Sequence, residues 1–187
     1  MRIISGKYRG KKILQPTDNE TRPLKDLTKE SIFNIIKHSN LIKIEIENSN
    51  ILDLFSGVGS FGLECMSRGA SNIVFYENYK NVIKILKRNI SDLDSGVKTK
   101  IIEKNIFDIN CFNNLNNEFE IIFIDPPFKE KNVFKLMDNI IKLKLLKDNG
   151  IFIIHRHKNE NDLLPKEMNI FLEKSYGVSK IIFGNLI

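Results

Sequence analysis

The sequence has no apolar run long enough to cross a membrane, and it has few cysteines. No run approaches the roughly 18 apolar residues of a membrane-spanning helix, and the first seven residues lack the apolar centre of a signal peptide. We therefore expect a cytoplasmic protein with no membrane partner. Cys65 and Cys111 fit no zinc-binding spacing and would allow a single disulfide, so we expect two core thiols and no metal site.

The composition is that of an ordinary globular protein with a basic beginning. The chain has 187 residues, 42% hydrophobic and 28% charged, and one domain of roughly 150 residues plus an appendage is the expectation. Lys and Arg total 29 against 23 Asp and Glu, so 29 − 23 gives +6. Residues 1–30 hold eight basic and four acidic side chains, or +4 of that charge. We predict a basic arm over residues 1–40, a second domain over 41–187, and a polyanionic partner.

From position 51, short β-branched or aromatic runs alternate with stretches of helical periodicity. This pattern is typical of βαβ units, and it predicts an α/β fold with a mostly parallel sheet and helices on both faces. The predicted strands are 51–55, 73–76, 100–102, 121–124 and 151–154. Runs 169–176 and 178–182 are too close for a helical crossover, so they predict an antiparallel C-terminal hairpin.

Helix boundaries and the first fifty residues follow from capping residues and glycines. Asn78 is a candidate cap for the helix after the second strand, and Asn149-Gly150 marks the predicted end of the helix before the fifth. Segment 2–14 predicts a β-hairpin with basic side chains on one face. Residues 28–38 predict a helix capped by Thr28.

A glycine-rich turn follows the first predicted strand of the domain. Gly57, Gly59 and Gly62 have the spacing of a nucleotide-binding turn, and Glu77 ends the next strand, where it could accept hydrogen bonds from ribose hydroxyls. This spacing does not choose between NAD and other adenosyl cofactors. Asp53, just before the turn, would repel a pyrophosphate but suits the ammonium and sulfonium charges of S-adenosylmethionine.

A second motif, Asp125-Pro126-Pro127-Phe128, follows the apolar strand 121–124. The prolines remove backbone donors and stiffen the loop, which leaves the Asp125 carboxylate and the Pro126 carbonyl as acceptors beside an aromatic ring. Two acceptors can bind the hydrogens of an exocyclic amine and direct its lone pair at an electrophile, while Phe128 stacks on the base. Strand ends of open α/β sheets bind ligands, so Asp53, Glu77, Asn105 and Asp125 should converge on one crevice.

Taken together, the chain resembles the RsmD-type family of 16S ribosomal RNA guanine-N2 methyltransferases, class I enzymes that use S-adenosylmethionine. The resemblance covers nearly the whole chain. Besides the two motifs above it rests on Met1-Arg2-Ile3-Ile4-Ser5-Gly6, Arg9-Gly10-Lys11, Thr21-Arg22-Pro23 and a helix with Glu30 and Phe33-Asn34. It implies a Rossmann-like fold with a seven-stranded sheet.

The resemblance also implies site residues. The cofactor would be held by Asp53, Phe55, Gly57, Gly59, Glu77, Asn78, Asn105 and Ile106, and the target guanine by Asp125, Pro126, Pro127 and Phe128. Candidate phosphate contacts are Arg9, Lys11, Lys12, Arg22 and Lys29. The chain departs from the family pattern at Leu24, where Thr is usual, at Lys29, where Arg is usual, and near His155, where a Glu is usual.

The predicted function is methyl transfer from S-adenosylmethionine to guanine N2 in small-subunit rRNA, free or in an assembling particle, by a monomer. Three alternatives remain open. The same site could methylate adenine or DNA, and the glycine spacing also occurs in NAD-dependent oxidoreductases. A non-catalytic RNA-binding module would explain the basic arm but would leave Asp125 without a purpose. His155 and His157 alternate along a predicted strand without a nearby third metal ligand.

Overall fold

A computed structural model describes residues 1–17, 24–93, 95–113, 115 and 118–187. The predicted phosphate contact Arg22, with the Thr21-Arg22-Pro23 motif, lies outside these residues. None of the described helices combines the length and apolar character needed to span a membrane.

Within the described residues, seven strands form one mixed sheet in the order β3-β2-β1-β4-β5-β7-β6. The strands are β1 (Asn50–Leu54), β2 (Asn72–Tyr76), β3 (Lys98–Ile102), β4 (Phe119–Ile124), β5 (Leu146–His157), β6 (Met168–Tyr176) and β7 (Ser179–Leu186). The first five are parallel, whereas β7 runs antiparallel to β5 and β6. The predicted α/β fold and its antiparallel C-terminal hairpin are confirmed.

Helices cover both faces of the sheet, because its strands carry apolar side chains on both sides. The helices are α1 (Asp26–His38), α2 (Ser60–Ser67), α3 (Lys80–Leu93), a short 3₁₀ helix (Ile109–Phe112) and α4 (Val133–Lys142). Side chains from α1, α2 and α3 share one core with one face of the sheet, and α4 and the 3₁₀ helix share a second core with the other. The strand order reverses direction between β1 and β4, and the ends of these two strands meet where such sheets bind ligands.

Three predicted helix boundaries are wrong. Helix α3 begins at Lys80, because the Tyr79 carbonyl accepts its first hydrogen bonds, so Asn78 is not the cap. Helix α4 ends at Lys142, because Lys144 takes the left-handed conformation (φ 50°) that ends a helix without a glycine. Asn149-Gly150 instead lies within β5, in a bulge between Leu146 and Ile151. Helix α1 begins at Asp26, two residues before Thr28.

The N-terminal segment folds back on itself as predicted, but its pairing is short. The Ile3 N–H donates to the Lys11 carbonyl, the Gly10 N–H donates to the Ile3 carbonyl, and Arg2 bridges Lys12, while residues 5–10 form turns and bends rather than strands. Ile3 and Ile13 are buried in the core shared with α1, α2 and α3. The division into an arm over residues 1–40 and a domain over 41–187 therefore stays a prediction about function, because the two segments share one core.

A buried carboxylate, Glu64 of α2, anchors this segment. It accepts hydrogen bonds from the backbone N–H groups of Ile4 (2.7 Å) and Ser5 (2.9 Å) and from Arg68 Nε (2.9 Å). Lys29 is fully buried, with Nζ 3.7 Å from Glu64 Oε2 and donating to the Arg2 carbonyl at 2.7 Å. Burial lowers the pKa of Lys29, and Glu64 partly opposes that shift. The prediction that Lys29 contacts phosphate is wrong, because its ammonium is enclosed and already paired.

Candidate active site

The turn after β1 places backbone against the pocket. Phe55, Gly57 and Gly59 all have positive φ, at 57°, 54° and 85°. Such angles suit glycine and strain other residues, so the glycines at 57 and 59 let the chain reverse between β1 and α2. A Cβ at position 59 would lie 2.5 Å from Leu86 Cδ1, so this glycine also permits close packing on α3.

Asp53 lies at the end of β1 beneath this turn. It is 1% exposed, and its Oδ2 accepts a hydrogen bond from the Gly62 N–H at 2.9 Å. Burial raises the pKa of Asp53 well above its ordinary value, the Gly62 hydrogen bond partly opposes the shift, and the charges of Asp125 and Glu77 add to it. A bound cation would offset the repulsion among these three carboxylates.

Glu77 joins the end of β2 to the glycine turn. Its Oε2 accepts from the Gly57 N–H (2.8 Å), and its Oε1 accepts from the N–H groups of Asn78 and Tyr79 (2.9 Å each). A carboxylate has about four acceptor sites. Glu77 therefore orients two loops and keeps capacity for a further donor such as a ribose hydroxyl.

The second motif continues directly from β4. The Asp125 N–H donates to the Leu54 carbonyl (3.2 Å), which ties the loop to the end of β1. Asp125 Oδ1 lies 2.8 Å from His155 Nδ1, and His155 Nε2 lies 2.8 Å from Ser179 Oγ. An ionised carboxylate can only accept, so the proton on Nδ1 points at Asp125. Phe128 packs edge-on against the rings of His155 and His157, with centroids 5.8 and 5.0 Å away.

These elements enclose a pocket of about 580 Å³, a size that suits a small ligand. Nine of the predicted site residues line it: Asp53, Phe55, Gly57, Glu77, Asn78, Asp125, Pro126, Pro127 and Phe128. The other cofactor candidates, Gly59, Asn105 and Ile106, lie outside its lining. Ile106 borders a small adjoining cleft with Phe55 and Glu77, whereas Asn105 uses its side-chain oxygen to hold the Phe107 N–H at 3.0 Å.

Several residues line the pocket without a sequence signal that places them there. Phe107 lies against Phe55, with centroids 6.0 Å apart, and adds an apolar wall. Gln15, Pro16 and Leu24 bring the N-terminal segment to the same pocket. These walls depend on long-range packing. His155, by contrast, has a visible signal, since it is a polar residue that follows the apolar run 151–154.

The burial of Asp53 leads to a prediction about stability and pH. Because its pKa is raised in the fold, its stabilising contribution is present in acid and is lost as the pH rises through that raised value. Asp53→Asn should therefore be more stable than the parent at neutral pH, and the difference should shrink in acid. Chemical unfolding of both proteins at a series of pH values checks this. A difference that is constant across the series, or that favours the parent, would contradict it.

Comparison with known proteins identifies the family. A model of the family described as "Conserved hypothetical protein 95" matches residues 1–185. The chain belongs to this family. Its relatives include ribosomal RNA small subunit methyltransferase D of Buchnera aphidicola subsp. Baizongia pistaciae, 32% identical over 98% of this chain and 90% of the relative. The protein of the same name from Haemophilus influenzae is 31% identical over 95% of this chain and 90% of its own.

Solved structures agree with the fold. An Escherichia coli protein described as a methyltransferase superposes with a TM-score of 0.81 at 24% identity, covering 100% of this chain and 97% of its own. A Haemophilus influenzae protein described as a methylase gives 0.77 at 28% identity, covering 100% and 98%. The family and the Rossmann-like methyltransferase fold predicted from the sequence are therefore confirmed, and the chain is a member of a methyltransferase family. Among the described residues, no group of three or more His, Cys, Asp or Glu side chains is placed to hold a metal ion.

Proposed function

We propose that this protein transfers the methyl group of S-adenosylmethionine to the exocyclic N2 amine of a guanine in small-subunit ribosomal RNA. One observation carries the proposal: the pocket joins a group of carboxylates, which suits a cationic cofactor, to a proline-stiffened loop whose acceptors suit an amine. Relatives named as small-subunit rRNA methyltransferases support ribosomal RNA as the class of substrate.

The pocket fits S-adenosylmethionine in charge and shape. Four acidic residues line it, Asp53, Glu77, Asp125 and Glu130, and the rings of Phe55 and Phe107 give it an apolar wall for an adenine. The same carboxylates would repel the pyrophosphate of NAD. When bound, S-adenosylmethionine supplies an electrophilic methyl group on a positively charged sulfur. Asp53 would hold the charged end of the cofactor and Glu77 its ribose hydroxyls.

The loop after β4 has two acceptors available for the guanine amine. Among the residues that the structure describes, none donates a hydrogen bond to the Pro126 carbonyl or to Asp125 Oδ2. Binding both amine hydrogens there would turn the nitrogen lone pair toward the methyl group and compensate the positive charge that grows on nitrogen. Phe128 would stack on the base once the base leaves its own stack.

The basic arm is proposed to position the RNA. Arg9, Lys11 and Lys12 are exposed, and Lys11 Nζ donates to the Asp92 carbonyl at the end of α3. The Lys7 and Lys11 ammonium groups lie 5.3 and 6.0 Å from the Tyr8 ring centroid. These side chains stay candidate phosphate contacts, whereas the burial of Lys29 removes it from the set.

We also propose that the protein acts as a monomer in the cytoplasm, on free rRNA or an assembling small subunit. Light scattering at several concentrations would test the state in solution.

The function is tested by mass spectrometry of rRNA nucleosides from cells with and without the gene. The proposal expects loss of N2-methylguanosine from small-subunit rRNA. Loss of a methylated adenine instead would favour the adenine alternative. A thermal shift by NAD but not by S-adenosylhomocysteine would indicate an oxidoreductase, and stable RNA binding with neither ligand would indicate a non-catalytic module.

The arm is tested by replacing Arg9, Lys11 and Lys12 together with alanine. We expect weaker RNA binding and a shallower dependence on salt, by up to about three units of log–log slope if each residue neutralises one phosphate. Cofactor affinity should not change. The control replaces three exposed lysines elsewhere, Lys135, Lys166 and Lys174, which removes the same charge. Equal slopes for the two triple variants in a salt titration would mean that RNA binds to a surface other than the arm.

A further inference from the structure

The side chain of Arg156 in β5 is fully buried beneath the loop 125–130. Its Nη1 donates to the Pro127 carbonyl at 3.0 Å and its Nη2 to the Glu130 carbonyl at 2.8 Å. On its other side, Nε and Nη2 donate to the two oxygens of Asp162 at 2.6 and 2.8 Å. One guanidinium thus joins two points of the loop to the segment after β5.

These contacts determine which carbonyls of the loop remain available. The Pro127 carbonyl is held by Arg156 and also accepts from the Glu130 N–H at 2.8 Å, so the loop is closed as a tight turn. The adjacent Pro126 carbonyl is left unpaired within the described residues, and Pro126 lines the pocket. Arginine suits this task because its planar fork presents several donors in fixed directions and keeps its charge.

Stability alone gives a weak reason for such a pair. Removing two charges from water costs several kcal/mol per ion in general, and well-packed hydrophobic replacements of buried ion pairs are often neutral or stabilising. The Arg156 donors that do not bind Asp162 bind the loop that carries Asp125. The conformation of that loop is therefore a better explanation for the buried pair than stability.

We infer that Arg156 and Asp162 are positioning residues that hold the loop 125–130 in the shape that accepts the target amine. The inference rests on the proposed function of that loop. His155, the neighbour of Arg156 on β5, contacts the Asp125 carboxylate, so consecutive residues of one strand hold Asp125 and the Pro127 carbonyl on either side of the Pro126 acceptor.

The test is the double variant Arg156→Met with Asp162→Leu, which removes both charges and fills the same space with apolar side chains. We expect S-adenosylhomocysteine affinity within about twofold of the parent, a similar unfolding midpoint and RNA affinity, and a single-turnover methylation rate at least tenfold lower. The control, Lys142→Met with Asp138→Leu, removes an exposed ion pair on α4 and should leave the rate unchanged. A folded double variant with the parent rate would overturn the inference.

Two further measurements keep the inference testable. Should the double variant not fold, Arg156→Lys keeps the charge but cannot reach Asp162 and both carbonyls together, so a parent rate in that variant would overturn the inference. The chain has no tryptophan, so Phe128→Trp places a single indole on the loop. We expect acrylamide to quench it more strongly when Arg156 is also replaced. This readout does not depend on methylation, so it tests the loop even if the proposed function fails, and equal quenching would contradict the positioning role.

Discussion

Replacing Asp125 with alanine should lower the single-turnover rate of methyl transfer by about 100-fold, the scale seen when one preorganised charge-stabilising group is lost from an active site. The reason is that the carboxylate interacts most strongly as the amine nitrogen becomes cationic, so its loss raises the barrier more than it weakens binding. Rapid-quench measurement with saturating enzyme checks the rate.

The control for this variant separates chemistry from folding. Asp148→Ala removes an exposed carboxylate from the bulge of β5 and should match the parent in rate and stability. Affinity for S-adenosylhomocysteine should survive in both variants. A rate within about threefold of the parent for Asp125→Ala, equivalent to roughly 0.65 kcal/mol, would show that Asp125 is not the amine acceptor.

Replacing Glu77 with alanine should weaken S-adenosylmethionine binding by about 1–3 kcal/mol, the range for losing one partner of a charge-assisted hydrogen bond. Its carboxylate also orders the glycine turn and the start of α3, so the loss includes the cost of reorganising both loops. Isothermal titration calorimetry measures the change.

Glu103 offers a matched control, because it follows β3 as Glu77 follows β2 and is exposed in an ion pair with Lys87. Glu103→Ala should bind the cofactor like the parent. Unchanged affinity in Glu77→Ala would remove Glu77 from the cofactor site, whereas an equal loss in both variants would point to a general destabilisation.

The sequence predicted those parts of the site that are local in the chain. The glycine turn and the Asp125–Phe128 motif each follow an apolar strand directly, and ligands bind at strand ends in such sheets, so the sequence alone predicts that the two motifs share one site. Their arrival in one pocket with Glu77 agrees with that reasoning.

What the sequence did not predict depends on partners that are distant in the chain. The sequence predicts Lys29 as a surface cation, because the carboxylate that pairs with it, Glu64, lies 35 positions away on another helix. Arg156 similarly needs carbonyls from the loop after β4 and a carboxylate after β5. The charge and spacing of such residues in the sequence do not predict whether their side chains are buried, since burial depends on which elements pack together.

The most direct test of the central claim uses purified protein, small-subunit ribosomal RNA or its assembling particle, and S-adenosylmethionine with an isotope-labelled methyl group. Nucleosides from the digested RNA are then separated and identified by mass spectrometry. We predict that the label appears as N2-methylguanosine, at one position, and that Asp125→Ala abolishes most of it. Label on an adenine, or no label with either RNA or particle while S-adenosylhomocysteine still binds, would contradict it.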